Sequence, residues 1–172
     1  TNLRYAQETL PKFLTQGGKA IFTTGFENFV SSDELALGFA PIDSLLTAYR
    51  INDSTINPGF IPRVYKDSKV LPVDSSSANP HSLMIFDRTA IFGSYAVEPG
   101  PTDSVVYRLN NPNPSNSEEK WIGNPVVGVL SNNRRLFFFS IPLHLMNTTD
   151  PGDGKLRLAK LFERIFRGDF AD

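Results

Sequence analysis

Pro125-Val126-Val127-Gly128-Val129-Leu130, then Ser131-Asn132-Asn133, then Arg134-Arg135-Leu136-Phe137-Phe138-Phe139-Ser140-Ile141, and a stop at Pro142-Leu143-His144: this stretch decides the fold. Two β-runs flank a turn of three polar residues. So short a connection forces the runs to pair antiparallel. Three consecutive phenylalanines leave no polar side for solvent. The second run is therefore expected to be buried on both faces, in the middle of a sheet sandwiched by helices. Open α/β sheets place ligands outside the carboxyl ends of strands, which puts His144 beside the expected site.

Working outward, the chain opens with a helical pattern over residues 2–16, where Leu3, Ala6, Leu10, Phe13 and Leu14 share one face. Asn2 suits the N-cap, Pro11 either kinks or restarts the helix, and Gly17-Gly18 ends it. Ala20 to Thr24 then reads as a buried strand. Helix, Gly-Gly and buried strand form a unit of the doubly wound α/β kind, which normally begins with a strand. The expectation is thus a single α/β domain over 1–172 that forms the C-terminal portion of a longer chain. Its first strand would come from a missing N-terminal segment, from another domain of the same protein or from a partner chain, or does not exist.

A short helix is expected from Ser32 to Gly38, and a second after Pro41 with Ile42, Leu45, Leu46 and Tyr49 as its apolar stripe. Residues 51–80 are irregular and rich in proline, with short strands at 60–65 and 69–73. They read as a loop-rich β insertion, either a binding lid or a surface excursion. Strands follow at 82–86, 89–97 and 104–109, with residues 97–105 as a hairpin connection. Asp150-Pro151-Gly152-Asp153-Gly154 reads as a turn, with Asp153 as cap for a final amphipathic helix. That helix is expected to bury Leu156, Ala159, Leu161, Phe162, Ile165 and Phe166.

Composition bounds the function classes. The chain has 172 residues and a formal net charge of -1, with no basic run, which argues against a nucleic-acid footprint. No apolar stretch approaches membrane-spanning length. Cysteine is absent, which excludes disulfides and thiolate chemistry. Long loops of Asn, Ser, Thr and Pro lean toward an extracytoplasmic setting, periplasmic or cell-surface. The chain opens on Thr1 rather than Met, which leaves room for a removed targeting segment.

The residues that could carry chemistry are few. His81 and His144 are the only histidines, and their spacing supports no metal site. No Gly-x-Ser-x-Gly elbow occurs, and the phosphate-loop pattern fails around Gly152-Asp153-Gly154-Lys155 because Thr149 and Leu156 replace required residues. Trp121 either packs on the core or stacks on a sugar or partner. No cofactor is implied. The residues left as candidates are His144 as acid/base, with Asp150 or Glu27 assisting.

Leu14-Thr15-Gln16-Gly17-Gly18-Lys19-Ala20-Ile21-Phe22, together with the closing hairpin and final helix, resembles the class I glutamine amidotransferase-like superfamily. The similarity is to its non-catalytic and trehalose-utilisation (ThuA-like) branches and covers roughly the two ends of the chain. The resemblance implies a three-layer, flavodoxin-like fold with a mixed central sheet and helices on both faces. Catalytic members carry a cysteine nucleophile and a late His-Pro-Glu motif. Here no cysteine exists, and His144 follows Pro142-Leu143 without Pro-Glu after it. Glutaminase activity does not carry over. Two functions stay open: a non-catalytic binding or assembly module of a larger bacterial protein, and a hydrolase of a sugar or amide.

Overall fold

A computed structural model describes residues 2–24, 39–45, 48–51, 55–64, 69–72, 83–85, 91–110, 124–143, 146–147 and 151–167. Helix α1 runs Asn2–Thr15 and continues through Pro11. Strands follow as β1 (Ala20–Thr23), β2 (Ile42–Leu45), β3 (Ala48–Ile51), β4 (Thr55–Pro58), β5 (Phe60–Val64), β6 (Lys69–Pro72), β7 (Leu83–Ile85), β8 (Ile91–Tyr95) and β9 (Val97–Pro99). The chain ends with β10 (Ser104–Asn110), β11 (Val126–Leu130), β12 (Leu136–Phe139), β13 (Met146–Asn147) and α2 (Pro151–Arg167).

The main sheet has seven strands in the order β1-β12-β11-β10-β6-β7-β13. It is mixed, and with its helices the chain belongs to the α/β class. The pair β1–β12 is parallel, and the other pairs are antiparallel. The expected hairpin is present: Gly128 pairs with Phe139, and Leu130 with Phe137. Its turn is longer than three residues. Ser131 N–H donates to the Leu136 carbonyl at 2.9 Å, and Arg134 adopts a φ of 56°. Arg134 and Arg135 therefore belong to the turn and not to the strand, because the Ser131 hydroxyl accepts the Leu136 N–H at 2.9 Å and fixes the last turn position.

The three phenylalanines divide between two cores, as the alternation of strand side chains requires. Phe137 and Phe139 join Tyr107, Val127, Leu161 and Ile165 on the face covered by α2. Phe138 joins Tyr95, Val97 and Val129 on the other, with Phe22, Phe39 and Ile42 packed against them. Phe22 and Phe138 are register partners, their rings stacked 6.0 Å apart, and Phe39 meets Phe22 edge-on at 5.1 Å. Fully burying one such side chain is worth about 1.5–3 kcal/mol, so this strand anchors both cores.

Several expectations are corrected. The helix expected after Pro41 is instead β2 and β3, because Ile42–Leu45 ladders with Val97–Pro99 and Ala48–Ile51 with Thr55–Pro58. Cross-strand pairing outcompetes a weak helical stripe here. Residues 97–105 are no hairpin: β9 pairs with β2, whereas β10 pairs with β11 and β6. Helix α2 begins at Pro151, a favoured first helical position, so Asp153 lies inside the first turn instead of capping it. Leu161 and Ile165 are buried and Leu158 half-buried, whereas Ala159, Phe162 and Phe166 are exposed; the Leu156 side chain lies outside those described. Strand β1 is half-buried at the sheet edge. The helix expected over 32–38, Trp121 and His81 lie outside the described residues.

Candidate functional site

Because β1 and β12 are parallel and adjacent, their carboxyl ends coincide, and the chain carries small hydroxyl residues there. Thr23 ends β1, and Ser140 directly follows β12. Thr23 Oγ1 donates to the Ile141 carbonyl at 2.8 Å and accepts the Leu143 N–H at 3.0 Å. Thr24 N–H donates to the Phe139 carbonyl at 3.1 Å. Ser140 N–H and hydroxyl both donate to the Val127 carbonyl, at 2.8 and 3.3 Å. Ser94, from β8 on the sheet face opposite α2, donates to the Ser140 carbonyl at 2.9 Å.

Each hydroxyl has one proton to donate. All three are aimed at backbone carbonyls, which cannot take up a proton as a general base does. Thr23, Ser94 and Ser140 in this arrangement fix the strand ends in place. To act as a nucleophile, any of them would need a basic side chain as its acceptor in place of the carbonyl.

His144, Asp150 and Glu27 all lie outside the described residues, so no distance links them. Thr24 and Leu143, the last described residues before Glu27 and His144 in the chain, stand at this same end of the sheet. Asp150 immediately precedes α2.

Two further groupings escaped sequence reasoning. Near the turn at Gly100, a β-carbon on that glycine would collide with Asp103 Oδ2 and lie 3.6 Å from Asp43 Oδ1. Asp103 Oδ1 also accepts the Asn132 N–H at 2.7 Å, tying this turn to the β11–β12 connection. The breaker Pro99-Gly100-Pro101 signals the turn, but only the β2–β9 pairing brings Asp43 to it. Among the described residues no group of three His, Asp or Glu could hold a metal ion.

The second grouping gathers at the amino end of β1 and β12. Lys19 Nζ donates to the Phe166 carbonyl at 2.9 Å, and Arg135 Nη1 to the Leu14 carbonyl at 2.9 Å. Each helix thus ends on a cation, which complements its C-terminal dipole. The two helices expose large apolar side chains: Tyr5 at 70% and Phe13 at 49% on α1, Phe162 at 39% and Phe166 at 52% on α2. They are the exposed large hydrophobic residues among those described. Sequence reasoning assigned Phe13, Phe162 and Phe166 to buried faces, because periodicity marks a stripe without showing how much of it is covered.

Electrostatically one group stands out. Burial pushes the Tyr107 phenol well above its ordinary range, opposed in part by the nearby Arg164 cation. Tyr107 sits in the core against Phe137 and Phe139, its ring edge-on to both. No described helix is long and apolar enough to cross a membrane, which says nothing of strands. In comparisons with known proteins, no family model, curated protein or solved structure matches this chain.

Proposed function

We propose that this chain is a non-catalytic α/β module of a larger bacterial extracytoplasmic protein, with an assembly role exercised through α1 and α2. The observation that carries the reading is the placement of the exposed large apolar side chains. Tyr5 and Phe13 stand on α1 and Phe162 and Phe166 on α2, and a C-terminal carbonyl of each helix is held by a cation from the amino end of the parallel strands. Large apolar side chains exposed along a helix favour contact with another polypeptide. The occupied hydroxyls at the carboxyl end of the sheet support the same reading. The finer arrangement, three layers of the flavodoxin-like and amidotransferase-like kind, is part of the proposal, with α2 as one outer layer. The extracytoplasmic setting follows from the loop composition alone.

The test is photo-crosslinking in the cells that make the protein. A photoreactive residue replaces Tyr5 or Phe162, with Asn110, exposed at the end of β10, as control. Adducts to a polypeptide from both helix positions and not from Asn110 support an assembly module. Absence of polypeptide adducts from either helix sinks it. The alternative hydrolase reading rests on His144 and predicts that His144→Ala abolishes turnover of a sugar or amide substrate.

A further inference from the structure

We infer that the exposed face of α1 is a self-association surface, occupied by the same face of a second copy of this chain. The inference rests on the assembly reading and gives it a partner. Along α1, Ala6, Gln7, Leu10, Pro11 and Leu14 are half-buried, whereas Tyr5, Glu8, Thr9, Lys12 and Phe13 are exposed. The exposed set follows the spacing i, i+3, i+4, i+7, i+8 and so forms one continuous stripe.

The order of residues on that stripe is what selects the partner. Read from the amino end it runs aromatic, acid, base, aromatic: Tyr5, Glu8, Lys12, Phe13. A twofold axis brings the same patch onto itself in reverse order. An antiparallel copy centred near Leu10 then sets each Glu8 beside the partner's Lys12, and each Lys12 beside the partner's Glu8. Phe13 comes to the level between the partner's Tyr5 and Thr9, so aromatic surface meets aromatic surface. Flanking charges of opposite sign are what specify orientation in paired helices. The Thr9 hydroxyl donates to the Tyr5 carbonyl within its own helix, so it enters such an interface already satisfied.

The fold leaves this face available for physical reasons. The helix is held at its C-terminal end, by the Arg135 bond to the Leu14 carbonyl and by the Gly18 N–H on the Phe13 carbonyl at 3.0 Å. None of its described side chains, from Tyr5 on, belongs to either buried core cluster. At 14 residues α1 is about 21 Å long, so the contact is smaller than a standard stable interface and the pair exchanges reversibly.

Sedimentation velocity of the full 172-residue chain is the test. The wild-type chain is expected to shift from its 19.1 kDa monomer toward twice that mass as concentration rises. Glu8→Lys or Lys12→Glu alone places like charges opposite each other twice per dimer and should weaken association about tenfold or more. The double swap, E8K with K12E, should restore it, and an equimolar mixture of the two single variants should form the mixed dimer. Circular dichroism checks that each variant is folded; if a swap unfolds α1, Tyr5→Ser with Phe13→Ser replaces it and should also leave a monomer. A wild-type chain that stays monomeric throughout, or a dimer indifferent to the single swaps, overturns the inference. If that monomer still crosslinks through Tyr5 to a different polypeptide, the assembly reading survives without the second copy. If it crosslinks to none from either helix, both fall.

Discussion

Ser94 Oγ donates a 2.9 Å hydrogen bond to the carbonyl oxygen of Ser140, and both residues are fully buried. The bond joins β8, on the sheet face opposite α2, to the first residue past β12. Among the described residues it is the bond made to this buried carbonyl, just where the hairpin ladder ends. Ser94→Ala leaves that acceptor buried and unsatisfied, which costs about 1–3 kcal/mol. The expected outcome in urea denaturation is a lower midpoint with an unchanged slope. An unchanged midpoint would mean that water replaces the hydroxyl.

Gly128 sits where β11 is pressed between two aromatic residues. A β-carbon there would lie 2.9 Å from the Phe139 ring and 2.9 Å from Tyr107 Cβ. Neither neighbour can yield, since both are fully buried and pack against each other at 5.7 Å. Gly128→Ala is therefore expected to destabilise by about 1–3 kcal/mol through overpacking, read as a lower melting temperature. A variant as stable as the parent would contradict the close contact.

Tyr107 links the core to pH. Its folded value is raised by burial above the ordinary phenol value. A group raised in the folded state contributes stability fully below its unfolded value, and the contribution is lost as pH rises. Above pH ~10 the unfolded chain ionises first, so this residue alone should lower stability by about 1.4 kcal/mol per pH unit. Tyr107→Phe should flatten the alkaline limb of a stability–pH curve by that slope. An alkaline limb identical in the two proteins would show that Tyr107 ionises equally in both states.

Gly17 closes α1 with a φ of 93°. Gly18 N–H bonds the Phe13 carbonyl and Gly17 N–H the Leu14 carbonyl at 3.1 Å, the paired bonds of a Schellman ending. No atom lies within 4 Å of an added β-carbon at Gly17, so Gly17→Ala tests backbone conformation alone. It should cost about 1–2 kcal/mol, seen as faster amide exchange in the last turn of α1. At Gly18 the added carbon would instead strike the Phe13 ring, and that substitution should reposition the ring.

What the sequence determined by itself is the local part. Phe137-Phe138-Phe139 admits no solvent face, so a doubly covered strand was readable from three letters. The Gly17-Gly18 ending and the antiparallel β11–β12 pair were equally readable, since each depends on residues close together in the chain. Tertiary structure alone decided which surfaces are covered and by what. Ile42–Leu45 carries a helical stripe yet forms a strand, because Val97–Pro99 offers it a ladder 52 or more positions away. Phe162 and Phe166 fit an apolar stripe, but Leu158, Leu161 and Ile165 face the sheet and leave them outside. Thr23 reaches Ile141 and Leu143 only because β1 and β12 run parallel. Periodicity reports that a face can be buried; whether it is buried depends on partners that meet it only after the chain has folded.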